Sequence, residues 1–67
     1  MQDYQQRVVD EEIALSEKLN KLGAFIHGEV FLTLPEEDRT LLQEQDDHMR
    51  AYANVLRQRI ERFKVAA

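Results

Sequence analysis

At 67 residues, with nine Lys and Arg against thirteen Asp and Glu for a net charge of -4 and no cysteine, the chain has room for one small domain and no means of building a disulfide framework or a thiolate metal site. The charge has the wrong sign for a general duplex-DNA binder and is too mild for a disordered acidic tail. No apolar run approaches the ~20 residues of a membrane span, and Met1-Gln2-Asp3 lacks the basic and apolar regions of a signal peptide, so a soluble intracellular protein with no membrane partner is expected.

Helix 1 is predicted over about 3–27. Its apolar residues Tyr4, Val8, Leu15, Leu19, Leu22 and Ile26 recur at steps of three and four or their sums, the seam of a helix packed along its length. Asp3 as N-cap with Gln6 three residues on has capping-box spacing. Gly28 suits the left-handed position just past a helix end. The connector, 28–34, is apolar for a loop, which places Phe31 and Leu34 over the closed end of a hairpin. Helix 2 is predicted over about 35–64, with Pro35 at its first position, and Thr33 with Glu36 as a rival cap. Leu42, Met49, Tyr52, Leu56 and Phe63 form its seam, and no internal glycine or proline interrupts it. At 1.5 Å per residue the two helices are roughly 37 and 45 Å long.

The fold expected is therefore all-α, one domain over 1–67, a long antiparallel two-helix hairpin. A lone hairpin has too few neighbours to cover both stripes, so assembly into a homo-oligomeric bundle is expected, with sites between chains. Reversal near Phe31 makes residues whose numbers sum to roughly 63 face each other. That register sets Asp10, Glu11 and Glu12 near Arg50 and Arg57, and Lys18 and Lys21 near Glu44, Asp46 and Asp47.

Charge is unevenly spread: 36–47 carries six acidic residues and only Arg39, while 50–64 carries five basic residues against Glu61. The helix macrodipole accounts for that polarity without any function. Glu12, Gln45 and Arg59 interrupt the seams. Such positions either fix register at a cost in stability or line a wet cavity between protomers. In the second case Arg59 approaches Tyr4, Arg7, Phe63 and the helix 1 N-terminus, which together offer guanidinium groups, aromatic faces and free amides to a nucleotide-like anion.

Catalytic and metal signals are absent. His27 and His48 have no partner at metal-ligand spacing and read as surface residues; Ser16 has no histidine base; no glycine-rich phosphate loop is present. Met49 and Tyr52 read as core. No enzyme, metal or cofactor is expected.

The order Tyr4-Gln5-Gln6-Arg7-Val8-Val9-Asp10-Glu11, then Lys18-Leu19, Lys21-Leu22 and Phe25-Ile26, resembles a family of small phage-encoded helical proteins of crAss-like and other tailed phages. Phe31, Leu41-Leu42, Gln45, Met49, Tyr52, Leu56 and Arg59-Ile60 extend the match over nearly the whole chain. That family is similar in architecture to the helical hairpins of phage sponge proteins that block CBASS and Thoeris immunity by sequestering cyclic nucleotide signals. The resemblance implies a non-enzymatic counter-defence protein in the host bacterial cytoplasm, binding a cyclic oligonucleotide or related signalling nucleotide. In the sponges a tyrosine near the start of the first helix and a lysine further along contact the base, and the matching positions are Tyr4 and Lys18. Arg7 and Arg59 join Lys18 as candidates for phosphate neutralisation. The sponges' second helix has a different motif, and the acidic 36–47 stretch departs from what a phosphate favours. Two other classes stay open: an acidic interaction protein, such as a nucleic-acid mimic, that occupies a basic surface of a host defence protein through Glu36, Glu37, Asp38, Glu44, Asp46 and Asp47, and a purely structural oligomer.

Overall fold

The computed structural model describes residues 2–66, with side chains through Lys64. It is all-helical among those residues, a hairpin 49 Å long and 15 Å in its other two dimensions. Helix α1 spans Asp3–Ile26, α2 is a single turn at Glu29–Leu32, and α3 spans Glu36–Ala66. No helix of the described residues is long and apolar enough to cross a membrane.

The caps differ in detail from those expected. Gln2, not Asp3, is the N-cap of α1, and its backbone N–H donates to the Gln5 side chain at 2.9 Å. Gly28 is extended rather than left-handed, with φ -93° and ψ 173°, and begins α2. A Cβ at Gly28 would lie 3.3 Å from the Ala24 carbonyl oxygen and 3.4 Å from that of Phe25, so its bare backbone lets the chain fold tightly over the end of α1. Thr33 closes α2, its hydroxyl donating to the Val30 carbonyl at 2.6 Å. The Pro35 carbonyl accepts the first bond of α3 from the Arg39 amide, so proline lies one residue before the helix it was expected to begin.

The extra turn moves the reversal point beyond Phe31. Tyr4 meets Phe63 and Glu12 meets Arg57, so facing numbers there add to 67 and 69, while the Tyr52–Glu11 hydrogen bond keeps the expected 63 and Arg57–Ser16 reaches 73. Val8, Leu15 and Leu19 of α1 are buried against Ala53 and Leu56 of α3, with Met49, Ile60 and Phe63 packed on them. Phe31 is buried at the closed end, and Leu34 is half-buried. Ala53, which has 0% exposure, takes the seam position expected of Tyr52, and Tyr52 is 44% exposed. A methyl group there lets the backbones approach, whereas a phenol would hold them apart and leave its hydroxyl without water.

Arg57 is the one ion-pair link between the long helices among the described residues, 3.0 Å from Glu12. It also donates to the Ser16 hydroxyl at 3.2 Å, which in turn donates to Glu12 at 2.8 Å. The Ser16 hydroxyl first, and the Arg57 guanidinium second, hold the Glu12 carboxyl below the usual carboxylate range. The other expected pairings do not form. Arg50 pairs within α3 with Asp46 at 2.7 Å, and Lys18 and Lys21 make no ion pair among the described residues.

Candidate functional site

Beside the buried seam runs a second stripe, displaced by one residue. On α1 it comprises Tyr4, Arg7, Glu11, Ala14, Lys18, Lys21 and Phe25; on α3, Asp38, Leu41, Gln45, His48, Tyr52, Val55, Arg59 and Arg62. Steps of three and four keep each set on one side of its helix. All fifteen residues are exposed. A hydrogen bond from the Tyr52 hydroxyl to the Glu11 carboxylate spans the hairpin and places both sets on the same flank. Arg57 crosses to Glu12 and Ser16 on the opposite flank.

The two flanks differ in how their charges are spent. The Tyr52 flank carries Arg7, Lys18, Lys21, Arg59 and Arg62, five of the nine cations, but only Glu11 and Asp38 of the thirteen acids. None of the five makes an ion pair among the described residues. Off this flank, Arg50, Arg57 and Lys64 all have carboxylate partners. The rest of the chain thus holds eleven acids against four cations, three of them paired, and the Tyr52 flank presents free positive charge in an acidic protein. Glu11, its central acid, accepts from Tyr52, and that bond is the main reason the phenol titrates above its ordinary value; the Arg59 charge pulls the other way.

Tyr4, Arg7, Lys18 and Arg59 all lie on this flank and are exposed. Tyr4 packs edge-on against Phe63, ring centroids 5.8 Å apart and planes at 88°, which fixes its ring while 56% of the residue is exposed. Arg7 and Arg59 belong to the same open end. Lys18 stands about 21 Å further along α1, so within one chain it does not join the other three. Arg59 and Gln45 are not in the seam, being exposed, whereas Glu12 sits half-buried at its edge. Lys21, Phe25, Tyr52 and Arg62 also belong to the flank and were missed by considering the buried stripe alone; the parallel heptad offset by one was the available signal. His27 and His48 are exposed, and no group of residues suited to a metal ion occurs among the described ones.

The opposite flank has an open groove of about 330 Å³ lined by Gly23, Ile26, His27, Gln43, Asp46, Asp47 and Arg50. Its cation already holds Asp46, so it offers an anion little that is free.

Comparison with known proteins identifies kin. The family model described as Sequestin matches residues 2–62. The chain is 39% identical over 61 residues to the "Uncharacterized 7.5 kDa protein in denB-rIIB intergenic region" of Enterobacteria phage T4, an alignment covering 91% of this chain and 95% of that protein. No solved structure matches it.

Proposed function

The chain belongs to the Sequestin family, and from that premise we propose that it is a phage counter-defence protein which sequesters a cyclic oligonucleotide or related signalling nucleotide between protomers of a homo-oligomer. The family name speaks of sequestration, and a relative is a phage protein. The observation that carries the reading is the flank on which five unpaired cations alternate with Tyr4, Phe25 and Tyr52. Phosphates require the first and bases the second. Tyr4 stacks on a base, while Arg7, Lys18 and Arg59 neutralise phosphate. The family name supports a binding role, and the Ser16 hydroxyl is engaged with Glu12 and Arg57. The acidic stretch has a local explanation, because Glu36, Glu37 and Asp38 occupy the first turn of α3, where the helix dipole favours them, and Asp46 is held by Arg50.

Isothermal titration of the purified chain with a panel of cyclic nucleotides tests this. Saturable binding of at least one is expected, weakening as salt rises. Absence of binding at high micromolar concentration overturns it.

A further inference from the structure

On the flank opposite Tyr52, two contacts share one register. Arg57 Nη2 donates to the Ser16 hydroxyl at 3.2 Å, and a Cβ added at Gly23 would lie 3.8 Å from Arg50 Nη2, so both guanidinium groups reach across to α1. Each pair of numbers adds to 73, which puts Asn20 level with the middle of the interval between Arg50 and Arg57. The residue that α3 buries against α1 in that interval is Ala53, with 0% exposure. A methyl group does not fill the space between two arginines about 10.5 Å apart along the helix, and a cavity of about 180 Å³ remains, lined by Ser16, Leu19, Asn20, Arg50 and Arg57.

The lining is a set of donors. Arg50 uses only its Nε, toward Asp46, and Arg57 uses Nε toward Glu12 and Nη2 toward Ser16. Both Nη groups of Arg50, Nη1 of Arg57 and the Asn20 amide donate to nothing among the described residues. No carboxylate lines this cavity, whereas the groove on the closed-end side of Arg50 has Asp46 and Asp47 in its wall.

We propose that this cavity binds a small tetrahedral oxyanion, phosphate or sulfate, either free or as the terminal group of a monoester. Two planar guanidinium forks lining one space match such an anion, and the Asn20 amide supplies a neutral donor between them. Size sets the limit. About 180 Å³ lies below the roughly 300 Å³ at which pockets for larger ligands begin, so the cavity takes the oxyanion and leaves an attached sugar or base outside. Glu12 and Asp46 balance the two arginine charges from outside the lining, so recognition comes from the free donors and calls for a doubly charged anion. A bridging diester, with one charge and two of its oxygens substituted, fits poorly. All the lining residues belong to one chain, so the site is independent of the Tyr52 flank and of any nucleotide held there.

Chemical-shift titration of the Arg Nε–H and Asn side-chain resonances with inorganic phosphate, sulfate and phenyl phosphate, at an ionic strength held with chloride, tests this. Arg50, Arg57 and Asn20 should shift together and saturate with at least one dianion, and the form that binds, inorganic or phenyl, assigns the source of the group. Shifts that chloride alone reproduces overturn the site, as does movement of Arg59 and Arg62 alone. Asn20→Leu removes a donor but no charge, at an exposed position where leucine is the stronger helix former, and should weaken binding about tenfold or more. Arg50→Lys keeps a charge beside Asp46 but loses the fork, and should weaken it similarly. Unchanged affinity in either variant overturns the site. A cyclic dinucleotide that moves Asn20 where no dianion does also overturns it. A chain that binds a dianion here and no cyclic nucleotide anywhere keeps this site while the nucleotide reading falls.

Discussion

The Tyr52 hydroxyl donates to the Glu11 carboxylate across the hairpin, on the flank that also carries Tyr4, Arg7, Lys18 and Arg59. The bond occupies the acid in the middle of that flank and holds Tyr52 outside the core, beside the charge of Arg59. It therefore ties the hairpin register to the electrostatics of the face proposed to bind nucleotide.

Ultraviolet titration of Tyr52 in a Tyr4→Phe background should have its midpoint above the usual 10.0, because the Glu11 hydrogen bond favours the neutral phenol. A folded pKa raised above the unfolded one contributes stability that is fully present below pH 10.0 and lost as pH rises through the folded value. Glu11→Gln should bring the midpoint down. A midpoint at or below 10.0 in the parent would mean that the bond does not persist in solution.

Glu12 behaves in the opposite sense. Its carboxyl is held below 4.5 in the fold, so its contribution is present above that pH and lost as pH falls through the lowered value. Melting temperatures of the parent and Glu12→Gln should therefore differ most near neutral pH and converge once the pH falls below the lowered value. A constant difference across that range would show that Glu12 acts through packing alone.

Leu56 has 0% exposure at the centre of the seam, and Leu56→Ala should cost about 2–5 kcal/mol in urea denaturation. Ala53→Leu should cost about 1–3 kcal/mol by overpacking, since the helices meet at Ala53. A stabilised Ala53→Leu protein would show that the seam has room and that Tyr52 could have filled it.

For nucleotide capture, Arg59→Ala should remove a charge-assisted contact worth ~1.5 to 3 kcal/mol, roughly ten- to hundredfold in affinity. Tyr4→Ala should cost ~1 to 3 kcal/mol per stacked base and change the salt dependence less. Lys64→Ala, which removes an exposed pair with Glu61, should stay within about 1 kcal/mol of the parent. An acidic interaction surface would give the reverse: the open-end variants keep activity and Asp46→Lys with Asp47→Lys abolishes it. Titration on variants with the parent's sedimentation behaviour separates the two patterns.

Much of the architecture was legible in spacing alone. Three-and-four steps through Val8, Leu15 and Leu19, and through Met49, Leu56 and Phe63, define two long helices with apolar sides, and Gly28 and Pro35 bracket the break between them. Local chemistry determines these features, because period and punctuation act over a few residues. Spacing does not say which of two adjacent stripes turns inward. Tyr52 and Ala53 are both compatible with a seam, and only the packed structure, in which close approach of the backbones favours the methyl group, put Ala53 inside and Tyr52 at the rim against Glu11. The turn of α2 could not be read from composition either, and it shifted the register of the Tyr4–Phe63 and Glu12–Arg57 contacts by some four to six residue numbers; Lys21 still stands level with Asp46 and Asp47 but on the other flank from them, and no ion pair joins them. Four candidate ligand residues were visible one at a time, but their placement on a single flank with Lys21 and Arg62 depends on how two helices rotate to bury Leu56, a property of the pair and of neither sequence segment by itself.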